Sequence, residues 1–373
     1  MAHRLPRIAF LTTLVVVPAR LALCDIDYFQ TNLTSDLPGV AAHQDTNLVN
    51  PWGIAFAPTS PAWISDNGSG LSTLYNGAGQ TIPLVVTVPP PTGGTPPSAP
   101  TGVVFNGTTD FDGSHFIFAT EDGTISAWTS GTAATLEVDN SASGAVYKGL
   151  TLGNNGGTEL LYAANFNSGA VDVFNSSFHT ASLAAGAFTD PNLPAGYAPF
   201  DIQNIGGMIY VTYAKQDAQK HDDVAGAGNG FVDVYNTAGA LQGRLISHGA
   251  LDSPWGLAVA PASFGPFGGD LLVGNFGDGE IDAYNPTTGA FLGVLKDSHG
   301  NPIINQGLWG LSFGNGANGF NANDLYFTAG IPGPGAVEDH GLFGVIQPTP
   351  EPGMFLPIGA LSLALILRKR RES

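Results

Sequence analysis

Along most of the chain, runs of about five apolar or alternating residues are cut by short polar turns that carry glycine. Ala170-Val171-Asp172-Val173-Phe174 alternates, which is the period of an antiparallel strand with one buried face. The pattern also repeats on a longer scale. Asn50-Pro51-Trp52-Gly53-Ile54-Ala55-Phe56 returns as Ser253-Pro254-Trp255-Gly256-Leu257-Ala258-Val259 and as Gly307-Leu308-Trp309-Gly310-Leu311-Ser312-Phe313. Weaker copies are Pro100–Phe105, Tyr147–Leu152 and Pro199–Gln203. Aligned on the glycine, the copies centre on Gly53, Gly102, Gly149, Asp201, Gly256 and Gly310, with Asp201 replacing glycine once.

Each copy leads to a second apolar strand, a polar turn, and a third strand that ends in an aromatic residue and usually Asn. Ala62–Asn67 precedes Gly70–Asn76, and Leu160–Asn165 precedes Gly169–Asn175. Fourth strands are predicted at Ile82–Val88, Thr135–Val138, Leu241–Ile246 and Phe291–Leu295. Four antiparallel strands in each of six units predict an all-β, six-bladed propeller over residues 25–347. The sixth unit has no convincing fourth strand of its own. Ile26–Leu33 is expected to supply it, so that the N-terminal strand closes the ring in the last blade.

Composition fits this reading. The 373 residues include 51 Gly and 27 Pro, with only 11% charged residues, as suits short strands joined by tight turns. Charge is unevenly placed. The whole chain carries −18, but seven of its 12 Lys and Arg lie near the two ends. The body keeps five bases against 28 acids, about −23, and such a body should repel nucleic acid and anionic lipid. It can attract divalent cations, or the charge can serve solubility alone. With Cys24 the only cysteine, no internal disulfide is possible.

Both ends look like addresses. Residues 1–24 place Arg4 and Arg7 before the apolar run Ile8–Val17, and small residues precede Asp25. This is a secretory signal peptide in outline. Residues 348–373 carry Pro350-Glu351-Pro352, the apolar stretch Met354–Leu367, and the basic cluster Arg368-Lys369-Arg370-Arg371. As a helix the apolar stretch would span about 21 Å, short of the ~30 Å bilayer core, with the basic cluster held on the cytoplasmic side. In order and spacing this tail resembles the PEP-CTERM sorting signal of Gram-negative bacteria. The resemblance implies recognition by an exosortase after passage through the secretion machinery. It also implies transient anchoring in the membrane through the C-terminal helix, and a final place at the cell surface, outer membrane or biofilm matrix. The blade motif, Pro-x-Gly-Ile-Ala followed by an Asp/Asn-rich turn, resembles NHL-type propellers. The body as a whole looks like a bacterial propeller family that brings no reaction with it.

Candidate chemistry sits in the turns that should meet at one channel mouth. Asp66, Asn67, Glu121, Asn165, Asn275 and Asp278 offer oxygens that could hold Ca²⁺, a cation that takes six to eight of them. The same residue types also make ordinary tight turns. Two loop insertions place histidine beside carboxylates, at His221-Asp222-Asp223 and at Glu338-Asp339-His340, where they could serve a metal or a general base. His43 and His115 read as structural. No Gly-x-Ser-x-Gly elbow or phosphate-cradling loop is present. Two functions stay open: a surface or matrix protein that binds polysaccharide or another protein, and a Ca²⁺-dependent hydrolase or lyase acting at the mouth.

Overall fold

The computed structural model describes residues 27–349. The segments read as a signal peptide and, from Pro350 onward, as a sorting signal lie outside the described residues. Within them, no helix is long and apolar enough to cross a membrane.

Six sheets, antiparallel but for one short parallel edge, make six blades. Named from the innermost strand outward, blade 1 is Pro51–Ala55, Ala62–Asp66, Leu71–Tyr75 and Thr81–Thr87. Blade 2 runs from Pro100–Phe105 to Thr135–Asp139, blade 4 from Tyr197–Ile205 to Leu241–Ser247, and blade 5 from Pro254–Val259 to Phe291–Val294. Blade 3 has three strands, Tyr147–Asn155, Thr158–Asn165 and Ala170–Asn175. A single bridge from Thr180 to Phe174 stands where its fourth would lie.

Blade 6 consists of Leu308–Phe313, Leu325–Ala329, Leu342–Pro348 and the chain's first strand, Tyr28–Ser35, with the two-residue strand His43–Gln44 added in parallel at its outer edge. The N-terminal strand therefore does close the ring, two residues later than predicted. It runs antiparallel to Leu342–Pro348, with Tyr28 opposite Pro348 and Ser35 opposite Leu342. Closure is also fastened by side chains. Ser35 Oγ donates to the Gly341 carbonyl at 2.7 Å, and Asp36 pairs with His340 Nδ1 at 2.7 Å. Thr34 Oγ1 reaches the Gly79 carbonyl of blade 1 at 2.6 Å.

Apolar side chains fill the gaps between blades. Trp63 of blade 1 stacks on Phe116 of blade 2 at 4.1 Å, and Phe111 of blade 2 meets Phe178 beyond blade 3 at 5.3 Å. At the hub, the repeated glycines let inner strands approach each other. A Cβ on Gly53 would lie 2.7 Å from the Thr101 carbonyl of blade 2, and one on Gly310 would lie 2.6 Å from the Trp52 carbonyl of blade 1. The residue before each glycine turns toward the axis in four blades. Trp52, Phe200, Trp255 and Trp309, all buried, form one cluster with Phe166 and Phe276. Trp52 stacks on Trp309 at 3.5 Å, and Phe200 reaches Trp309 across blade 5 at 5.8 Å. This aromatic plug fills the channel at the end where the inner strands begin.

Candidate functional site

The plug is roofed by a polar belt built from the loops that enter the inner strands and the turns between middle strands. Asn50, which precedes the first inner strand at a positive φ of 46°, accepts from Trp309 Nε1 at 3.2 Å. Its amide donates to Glu338 Oε1 of blade 6 at 2.9 Å and to Asn67 Oδ1 at 3.3 Å. Asn67 donates to Glu121 Oε2 of blade 2 at 2.8 Å. Glu121 in turn holds the ammonium of Lys148 from blade 3. That ammonium lies 3.4 Å from Asp222 Oδ1 of blade 4, whose carboxylate also meets His221 Nδ1 at 2.8 Å. One continuous chain of contacts thus crosses five of the six blades.

Lys148 is the centre of this belt. Its side chain is 2% exposed, and Nζ hangs 5.1 Å over the Trp52 ring and 5.8 Å from that of Phe166. Burial alone would lower its pKa, but Glu121, then Asp222 and Glu338, outweigh burial and push it above the usual value. Burial raises Glu338 to about 7, against the Asn50 hydrogen bond. Burial likewise raises Asp223 to about 6. Asp222, despite partial burial, is held below the usual range by Lys148 and His221.

Of the six residues predicted from the turns to hold Ca²⁺, only Asn67 and Glu121 meet. Asp66 is fully buried inside blade 1; neither carboxyl oxygen has a hydrogen-bond partner, and burial pushes it well above the carboxylate range. Asn165 and Asn275 do the same structural task in blades 3 and 5. Each amide donates to an aspartate on the next strand, Asp172 at 2.9 Å and Asp282 at 3.0 Å. Each carbonyl accepts a backbone N–H from an inner-strand entry, that of Val146 or Asp252. Asp278 caps its own turn through the Glu280 N–H. Turn chemistry therefore accounts for three of the six.

A different trio comes together. Glu121, His221 and Asp222 each offer a ligand atom, all within 4.8 Å of one another. The set does not fit Ca²⁺, because the Lys148 ammonium already sits against two of its members. A divalent cation beside it would meet a repulsion of roughly 4 kcal/mol per unit of its charge at an effective dielectric of 20. It would also find three protein ligands rather than six to eight.

Sequence reasoning missed Lys148 and Asn50. The signal for Lys148 was available. It occupies the repeat position taken by Trp52, Phe200, Trp255 and Trp309 in four other blades, where a charged residue must either reach the mouth or be paired.

Comparison with known proteins places the chain among relatives. It is 30% identical over 323 residues to Uncharacterized protein R648 of Acanthamoeba polyphaga mimivirus, covering 82% of this chain and 76% of that one. The chain belongs to the family of that viral protein. A second mimivirus protein, Uncharacterized protein L690, is also 30% identical, over 80% of each chain. No family model matches. Among solved structures, a streptogramin B lyase aligns over 87% of this chain and 99% of its own at 11% identity, with a TM-score of 0.52. The soluble aldose sugar dehydrogenase of Escherichia coli aligns over 86% and 100% at 12% identity, also with a TM-score of 0.52. At such identities these likenesses show the fold alone.

Proposed function

We propose that this chain is an exported propeller that works as a non-catalytic binding module at the cell surface or in the extracellular matrix, with polysaccharide or another protein as its partner. The observation that carries the reading is the state of the mouth. Apart from one buried Asp223 oxygen, its carboxylates and amides are engaged with one another and with Lys148, over an aromatic plug, and this supports binding over a reaction. A surface of that kind suits contact with a large partner better than enclosure of a small substrate. Export rests on sequence: the signal-like residues 1–24, and Pro350-Glu351-Pro352, Met354–Leu367 and Arg368–Arg371 in the order of a PEP-CTERM signal. An exosortase would then process the tail.

The test has two arms. In a Gram-negative host that carries an exosortase, the full chain should reach the surface and lose its tail, and a chain ending at residue 349 should not be retained there. Equal retention of both would remove the sorting argument. A panel of lactones and esters should show no turnover by the purified protein. Turnover that disappears in His221→Ala would replace this reading by a mouth-centred enzyme. That second reading draws on the His221–Asp222–Glu121 trio and on the lyase among the proteins of the same fold.

A further inference from the structure

Below the plug the channel opens into a cavity of about 300 Å³. Its walls combine aliphatic side chains of the inner strands, among them Ile54, Leu150, Leu257 and Leu311, with the polar Thr151, Gln203, Asn204 and Ser312. Asp201 is the one charged side chain that lines it. This residue stands where the other five blades carry glycine. It is 6% exposed, and one carboxylate oxygen fills the space that a Cβ on Gly149 would take. Its backbone N–H donates to Thr212 Oγ1 at 2.9 Å. Among the described residues no side chain donates to its carboxylate; the polar group beside it is the Ile202 N–H.

The fold gives no reason for this carboxylate. Glycine at the same position lets Gly53, Gly256 and Gly310 close on the next blade's backbone, and an aspartate there forgoes that approach. A buried carboxylate without a counter-charge costs several kcal/mol. Burial accordingly pushes Asp201 well above the carboxylate range. Protonation relieves that cost in the empty cavity, and a cation from outside would relieve it instead by holding the carboxylate ionised. A divalent metal is a poor match, since it wants six to eight oxygens with several carboxylates among them and Asp201 is the one carboxylate in the lining. An ammonium on a short alkyl chain matches that single carboxylate and the aliphatic part of the lining. Its head forms a charge-assisted hydrogen bond, and its stem buries on the aliphatic side chains.

We infer that the channel cavity beneath the plug is a binding site for a small alkylammonium ligand, with Asp201 as the residue that receives its charged head. The site is separate from the mouth and does not depend on export, so its failure would leave the proposed function untouched.

The experiment is titration of the purified full chain with butylammonium chloride at constant ionic strength, followed by calorimetry and by the fluorescence of Trp255, which lines the cavity. Saturable binding is expected, at least about tenfold weaker in Asp201→Asn, a loss of one charge-assisted contact. Asp201→Gly restores the residue of the other five blades and serves if the Asn variant misfolds; it should also lose binding. K⁺ and Ca²⁺ are titrated in parallel. No saturable binding of butylammonium, equal binding by both variants, or an Asp201-dependent response to a metal ion alone would each overturn the proposal.

Discussion

Lys148 of blade 3 is clasped by Glu121 of blade 2, with the lysine side chain 2% and the glutamate side chain 12% exposed. Breaking a buried pair by removing one partner leaves the other charge uncompensated and typically costs about 3–5 kcal/mol. Lys148→Ala should therefore destabilise the protein by an amount near that range, read from urea unfolding with the slope unchanged. The double variant Lys148→Met, Glu121→Gln should recover most of the loss, because neither buried charge then remains. A double variant as unstable as Lys148→Ala would mean that packing over Trp52, rather than charge, is what Lys148 supplies.

Ring closure makes a second expectation. Tyr28–Ser35 is the fourth strand of blade 6, edged only by the two-residue strand His43–Gln44, and its loss would expose Leu342–Pro348 as an unpaired edge. Exposed edges template association. A chain lacking residues 27–36 should unfold at lower temperature and self-associate in sedimentation. Ser35→Ala, which removes the hydroxyl bond to Gly341 and the one it accepts from the Leu37 N–H, should cost about 1–2 kcal/mol and leave the protein monomeric to the same degree as the parent chain. If the truncated chain melts like the parent, the strand is dispensable and closure is not what holds the ring.

The blade count and the closing strand were legible because both rest on apolar periodicity, which backbone geometry converts directly into strands. The glycine positions were legible for the same reason: Gly53 and Gly310 recur where inner strands press together. The mouth was not. Asn165 and Asn275 look like Asn67 in sequence, yet each bonds to an aspartate within its own blade, Asp172 or Asp282. Asn67 faces Glu121 of the next blade instead. The register explains the difference: Asp66, with Thr73 in place of the aspartate, occupies the Asn165 and Asn275 position in blade 1, and Asn67 stands one residue further on, where blades 3 and 5 carry Phe166 and Phe276. Lys148 was hidden differently, since a single lysine in a weak repeat copy carries no motif.

The hub glycines give a steric test. On Gly310 a methyl group would meet the Trp52 carbonyl at 2.6 Å and Thr328 Oγ1 at 2.8 Å. Both belong to the junction between blades 6 and 1, where Gly310 N–H also donates to Thr328 Oγ1 at 2.8 Å. Overpacking of this kind typically costs about 1–3 kcal/mol. Gly310→Ala should lower the melting temperature accordingly, whereas Gly156→Ala, at a turn with open space around it but a φ of 63°, should cost about 1 kcal/mol through backbone strain alone. Equal losses in the two would show that the hub can relax.

Several carboxyls share an upward shift, and together they fix the direction of pH dependence. Burial raises Asp282 to about 7 against its Asn275 hydrogen bond, raises Glu338 to about 7, and raises Asp223, Asp233 and Asp278 to about 6. Each folded-state value lies above the unfolded one, so between about pH 4 and 7 the folded chain binds more protons than the unfolded chain. Stability is then fully present below the unfolded values and is lost as pH rises through the folded ones. Asp282, 1% exposed, should alone account for up to about 4 kcal/mol at 1.36 kcal/mol per unit. The protein should melt at a higher temperature at pH 5 than at pH 8. Asp282→Asn removes the titrating group while its amide oxygen can still accept from Asn275 and Tyr284, the present donors to Asp282 Oδ2. The variant should therefore narrow the gap between the two pH values, chiefly by gaining stability at pH 8. A parent chain that melts higher at pH 8, or an Asn variant with an unchanged gap, would mean that these carboxyls ionise freely in the folded protein.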